Sequence, residues 1–177
     1  MLLRVVAWSE AIAAVLTWYV HVRPVQPTDT PTLLRFIHEL AEYEREPDAV
    51  HVTLEQLQSA LFTSRPHLFG HVAQMDGQVV GMALWFLNFS TWEGTHGVYL
   101  EDLYVTPSAR GHGCGQALLA ELARICMQRG YARLELAVLD WNEPAIGFYA
   151  AHGARQMDDW TVQRFSGQAL RELSDLR

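Results

Sequence analysis

The stretch from Val105 to Leu119, reading Val-Thr-Pro-Ser-Ala-Arg-Gly-His-Gly-Cys-Gly-Gln-Ala-Leu-Leu, constrains the fold more than any other part of the chain. An apolar strand, Gly97 to Val105, stops at Thr106-Pro107 and enters a loop with glycine at 111, 113 and 115. The loop opens a helix with Leu118, Leu122 and Ile125 on one face, which ends near Gly130 as its C-cap. A helix start built on glycine offers unpaired N–H donors and a partial positive charge, which suits an anion such as phosphate. Arg110 adds a charge-assisted contact. A tight turn accounts for the same glycines without any ligand. No Gly-Lys-Ser/Thr follows, so this is not a Walker loop, and the spacing and late position exclude a dinucleotide fingerprint.

Strand and helix patterns alternate around this segment. Tyr19 to Arg23 predicts a first strand ending at Pro24. Thr30-Pro31 predicts a helix start, with Thr30 as N-cap and proline at the first helical position, and Leu33, Phe36, Ile37 and Leu40 share a face. Thr53 and Gln56 have capping-box spacing ahead of Leu54, Leu57 and Leu61. Leu68 to Met75 is strand-like, Asp76-Gly77 is a hairpin signal, and Gln78 to Asn88 is a long apolar strand. Arg133 to Leu139 predicts another strand, Glu143 to His152 a short helix stopped by Gly153, and Thr161 to Phe165 a last strand. One mixed α/β domain over 20–177 follows.

Composition narrows the partners. The 177 residues are half apolar and 19% charged, which excludes disordered, collagen-like and coiled-coil chains. Thirteen basic against 20 acidic residues leave a net charge of −7. That repels phosphate backbones, so nucleic acid is not the expected partner, and cationic small molecules are acceptable. Cys114 and Cys126 make neither a disulfide framework nor a zinc pattern, and His67 and His71 lie on strand-like sequence, so no metal is expected. A cytoplasmic location fits. Residues 1–19 are apolar but broken by Ser9-Glu10 and closed by His21 and Arg23, which suits neither a membrane helix nor a signal peptide. They are expected to form an extension ahead of the domain, with no membrane partner.

Two further segments carry chemistry. Glu101-Asp102 interrupts an apolar strand, and alternation sends the two side chains to opposite faces unless a bulge intervenes. A buried carboxylate is costly unless it is paired or functional, and both readings of Glu101 stand at this level. In Asp140 to Ala154, Asn142 is an N-cap, Pro144 lies in the first helical turn, and Tyr149 projects about two turns in. Phe148 and Tyr149 alone read as packing aromatics. Cys114 at a helix start is either a thiol of lowered pKa or a small residue the loop tolerates.

The order Leu100-Glu101-Asp102-Leu103-Tyr104-Val105, then Arg110-x-x-Gly113-x-Gly115, then Asn142-Glu143-Pro144-Ala145-x-x-Phe148-Tyr149 resembles the GNAT superfamily of acyl-CoA N-acetyltransferases. The spermidine/spermine (diamine) acetyltransferase branch is the nearer likeness, from about Val20 to Leu173 and including Leu40-Ala41-Glu42-Tyr43-Glu44. The resemblance implies a single α/β domain with a mixed, mostly antiparallel twisted sheet, splayed at the cofactor site and with helices on both faces. It also implies a homodimer and acetyl-CoA as donor. Leu103, Tyr104 and Val105 would offer backbone groups to the acetyl-pantetheine arm, and Arg110, Gly111, His112, Gly113, Cys114, Gly115 and Gln116 would hold the pyrophosphate. Asn142, Glu143, Pro144 and Ala145 would line the other side, with Tyr149 near the sulfur. Tyr43, Glu44 and Glu101 would face the amine, with backbone of Glu135, Leu136 and Ala137. Ala145 stands where many relatives have serine, and the chain after Gly153 departs from the branch.

On that resemblance Glu101 is the expected base and Tyr149 the expected proton donor to the leaving thiolate. The expected activity is acetyl transfer to a small cationic amine, a polyamine first. A lysine-like amino acid or an amine-bearing toxin is the in-class alternative. An acyl-CoA-binding module without catalysis is the alternative of another class.

Overall fold

The computed structural model describes residues 19–176, so the expectation for the first residues lies outside it except at Tyr19. Two compact units follow one another, one running to Ala137 and the other from Val138.

The first unit is a five-stranded sheet in the order β1 (His21–Pro24), β2 (Phe69–Met75), β3 (Gln78–Ser90), β4 (Thr95–Val105) and β5 (Leu134–Leu136). All pairs are antiparallel except β4–β5, which is parallel. The β2–β3 turn takes positive φ at Asp76 (50°) and Gly77 (76°), the hairpin geometry expected from that dipeptide. Helices cover both faces. Leu33 and Phe36 of α1 (Thr30–Tyr43) and Leu57 and Leu61 of α2 (Leu54–Leu61) pack on Val72, Met82, Leu84 and Tyr104. The opposite face meets α3 (Cys114–Arg129), where His71 stands by Glu121 and a Cβ on Gly81 would lie 3.5 Å from Leu118.

Local signals explain most boundaries. Thr53 Oγ1 accepts from Gln56 N–H while Gln56 Oε1 accepts from Thr53 N–H, completing the capping box. Gly130 caps α3 in the left-handed region, at φ 66°. Two expectations are corrected. Thr30 is not a cap: it already lies inside α1, its hydroxyl donates to Pro27 O, and Asp29 is the N-cap residue. Thr161 to Phe165 forms no strand, since that stretch finds no ladder partner among the described residues.

The second unit holds α4 (Glu143–Ala151) and α5 (Gly167–Ser174), the latter absent from the sequence reading. Asn142 caps α4, its Oδ1 accepting from Ala145 N–H at 3.3 Å, with Pro144 in the first turn.

Candidate active site

The site begins where β4 loses its neighbour. β5 pairs with Val98, Tyr99 and Leu100 and ends at Leu136, while β4 continues to Val105. The β5-side edge of residues 101–105 is therefore left without a strand partner among the described residues, and strand alternation turns the backbone groups of Leu103 and Val105 toward it. Unpaired backbone of this kind invites a ligand that can supply the missing hydrogen bonds.

A bulge sits at the head of that free edge. Leu84 pairs with Asp102 and Trp85 with Leu100, so Glu101 has no partner across the ladder. Facing reverses there: Tyr104 and Asp102 share a face above the bulge, Tyr99 and Gly97 below it, and Glu101 is the extra residue between. The bulge answers the question that simple alternation left open by gathering two carboxylates in one place. Asp102 is the half-buried member, and Glu101 is exposed. Burial first, then the charges of Glu101 and Glu44, pushes its carboxyl up to about 6. Glu44, just past α1, is also raised by burial. The sequence reading singled out Glu44 and Glu101 but passed over Asp102, whose carboxyl is raised by burial and by charges that include Glu44, 58 residues away in the chain, rather than by any local pattern.

At the other end of the free edge the chain enters the glycine loop. Gly111 and Gly113 adopt φ of 78° and 83°, and nothing stands within 4 Å of a Cβ on either, so the loop backbone is open. Gly113 is the N-cap of α3 and offers no side-chain cap, and the first α3-type bond is Ala117 N–H to Gly113 O. The first-turn donors from Cys114, Gly115 and Gln116 thus lack acceptors within the helix. Just ahead of the loop, Thr106 Oγ1 is buried without a hydrogen-bond partner among the described residues. Arg110 bridges the two ends: its Nε donates to Val105 O at 3.1 Å and its guanidinium lies 5.5 Å from the centre of the Tyr43 ring. His112 folds back, with Nδ1 2.9 Å from Arg110 O.

Between α1 and the end of β4 lies a wide cleft of about 570 Å³, lined by Glu39, Glu42, Tyr43, Tyr104, Thr106 and Arg110 among others. Tyr104 OH donates to Glu39 Oε2 at 2.7 Å, and burial together with that bond pushes the phenol up to about 12. Tyr104 is therefore an anchor between α1 and β4 rather than a proton carrier, and its backbone faces β3 in the same hydrogen-bonded register as Thr106 with Val80, so Tyr104 is not among the free backbone groups.

Cys114 is 1% exposed and its Sγ lies 3.3 Å from Met75 Sδ, with burial raising its pKa. A reactive thiol is excluded by that environment. No group of metal-binding side chains occurs among the described residues.

The first unit thus assembles Tyr43, Glu44, Glu101 and Arg110 around Asp102 and the cleft, with Gly111 to Gln116 continuing from β4. Glu135 and Leu136 lie on β5, and Ala137 follows it. The remaining predicted residues belong to the second unit. There Asn142, Glu143, Pro144 and Ala145 form the capped start of α4, and Tyr149 stands in its second turn against Phe148, with ring centres 5.2 Å apart.

Known proteins share this plan. Residues 33–154 match the Acetyltransferase (GNAT) family. The chain is 37% identical to the thialysine N-epsilon-acetyltransferase of Bos taurus over 88% of this chain and 98% of that protein. It is 29% identical to a human spermidine/spermine N(1)-acetyltransferase-like protein 1, covering 88% of this chain and 24% of that longer protein. Among solved structures, an integron cassette protein from the mobile metagenome of V. cholerae superposes with a TM-score of 0.74 at 26% identity, over 89% of this chain and 98% of that one.

Proposed function

The chain belongs to the Acetyltransferase (GNAT) family, and on that premise we propose that it moves an acetyl group from acetyl-CoA to a primary amine of a small cationic substrate. The observation that carries this reading is the free edge of β4, with three carboxyls at its head and an anion-suited loop at its foot. A thin thioester arm with a pyrophosphate tail answers to both. Leu103 to Val105 would pair with the arm, and the loop from Gly111 to Gln116 would receive the phosphates, with Arg110 beside them. Acetyl-CoA supplies the activated acyl group, and the remaining work falls to the chain.

An alkyl amine of pKa about 10.4 is neutral in only about one molecule in 10³ near pH 7, and deprotonating it costs about 4.6 kcal/mol. The acidic head of the site favours the cation and then takes its proton. Glu101, exposed on the bulge, meets the ammonium. Asp102, with its carboxyl at about 6, lies nearer to working pH than an ordinary carboxylate, where a general base is most effective. A backbone N–H near Leu103 would donate to the acetyl oxygen as charge develops on it. Tyr149 is the residue assigned to protonate the leaving thiolate, on the strength of its place in the family pattern.

Polyamines and the side-chain amine of a basic amino acid both answer to an acidic pocket. The higher identity to the thialysine enzyme favours the amino acid. The reading is tested by release of CoA thiol from acetyl-CoA with spermidine, spermine, lysine analogues or no amine. Amine-stimulated release is expected, and binding without stimulation would leave an acyl-CoA-binding module. Asp102→Asn should lower kcat by about 10²-fold or more at neutral pH. Glu101→Gln should cost less and move the acid limb of the pH–rate profile downward, because it removes a like charge beside Asp102. The reverse ranking would return the base role to Glu101. Tyr149→Phe should lose no more than about 10²-fold, since a thiolate leaves readily, and full activity would make it a packing residue.

A further inference from the structure

The sheet face that carries Asp102 continues past the bulge to a polar group that neither the fold nor the chemistry above uses. Phe86 and Asn88 of β3, Tyr99 and Gly97 of β4, and Glu135 of β5 occupy this face in register. Asn88 Nδ2 donates to Glu135 Oε2 at 2.6 Å, and Arg133 Nε stands 2.9 Å from the same oxygen. These side chains meet across β4 because residue 97 is glycine. A Cβ there would lie 2.6 Å from Asn88 Oδ1 and 2.8 Å from Arg133 Cγ.

The network leaves unused bonding capacity of both signs. Among the described residues Asn88 Oδ1 is a buried acceptor without a donor, and Arg133 Nε is buried off the hydrogen-bond axis of its carboxylate. Arg133 and Glu135 side chains are each 37% exposed, so a guanidinium and a carboxylate reach solvent side by side. Paired opposite charges of this kind complement a zwitterion. The guanidinium suits an α-carboxylate, and the carboxylate suits an α-ammonium.

The spacing accommodates the same ligand. Asp102 and Tyr99 pair with β3 residues two apart, and Glu135 lies one strand beyond Tyr99, which puts Glu135 about 8 Å from Asp102 by strand geometry. The side-chain nitrogen of an extended lysine-length amino acid lies about 6 Å from its α-carbon, from C–C bonds of about 1.5 Å. We propose that Arg133, Glu135 and Asn88 read the head group of a basic amino acid whose side-chain amine is acetylated at Asp102 and Glu101. This rests on the acetyltransferase reading and narrows its substrate class.

The test compares lysine with cadaverine, which has the same terminal amine but no α-carboxylate, in the thiol-release assay on the full chain. Wild type should show the higher kcat/KM with lysine. Arg133→Gln should raise KM for lysine about tenfold or more, with kcat little changed, and the effect on cadaverine should be at least tenfold smaller. Glu135→Gln keeps a partner for Asn88 and should erase discrimination between lysine and Nα-acetyl-lysine, which lacks the α-ammonium. If Arg133→Gln fails to fold, Glu135→Gln alone decides. Equal losses for both members of either pair would make the network a plain strand tie and overturn the inference. A wild-type preference for cadaverine or spermidine over lysine would also overturn it, while leaving the acetyltransferase reading standing. No amine-stimulated release at all would remove that reading, and this inference with it.

Discussion

Burial and two neighbouring carboxyls hold the Asp102 proton far above the range of an ordinary aspartate, at about 6 against 3.8. The folded chain then keeps a proton that the unfolded chain releases over this interval. The stability this contributes is complete below pH 3.8 and is lost as pH rises through about 6. Asp102→Asn removes the penalty of ionising the buried group. It should stabilise the fold by up to about 3 kcal/mol near pH 7.5 and do nothing comparable near pH 4. Thermal unfolding at the two pH values checks this, and an equal shift at both would mean that the carboxyl ionises freely in the fold. A stabilised but catalytically poor Asp102→Asn enzyme is the pattern expected of a group held in an unfavourable state for chemistry.

Among the elements, β2, β3 and α3 are tied by a buried histidine. His71 is 6% exposed, Trp85 Nε1 donates to its Nδ1 at 3.2 Å, and Glu121 Oε1 stands 3.7 Å from its Nε2. Glu121 is itself held by Arg124 one turn along α3. An indole can only donate, so Nδ1 must be unprotonated, and protonating the ring would leave two donors facing each other. Burial lowers the His71 pKa below 6.5, with Glu121 opposing and Arg124 reinforcing. The contribution to stability is therefore present above pH 6.5 and lost as pH falls below it. His71→Gln keeps an acceptor for Trp85 but cannot titrate. It should cost about 1 kcal/mol near pH 8 and distinctly less near pH 5. A loss that does not change with pH, followed by chemical unfolding, would show that His71 acts through shape alone.

At the scale of the whole molecule, the second unit ends in a run of large apolar side chains. Met157, Trp160, Val162, Phe165 and Leu170 are all more than half exposed. An association face presents apolar surface of this kind, and we expect a second copy of the chain, the partner that the family resemblance implies, to cover it. Light scattering on purified protein should give about twice the 20.1 kDa of one chain. Trp160→Ser with Phe165→Ser should shift the mass to one chain, and a monomeric wild type would leave these side chains to an intramolecular role. No described helix is long and apolar enough to cross a membrane.

Wherever structure follows from neighbours in the chain, the sequence alone determined it. Asp76-Gly77 makes a hairpin because both residues accept positive φ, Thr53 and Gln56 cap each other across one turn, and Gly113 to Gly130 brackets α3. The glycine loop that opens α3 and the Asn142 cap were legible for the same reason. The tertiary structure alone decided what depends on strands far apart in sequence. Pairing with β3 put the extra residue at Glu101, and folding brought Glu44 close enough to raise the Asp102 carboxyl. The early end of β5 freed the edge of β4, and Gly97 let Asn88 and Arg133 meet. Local propensity acts over one turn or one hairpin, whereas register, burial and charge proximity are properties of segments that touch only after folding.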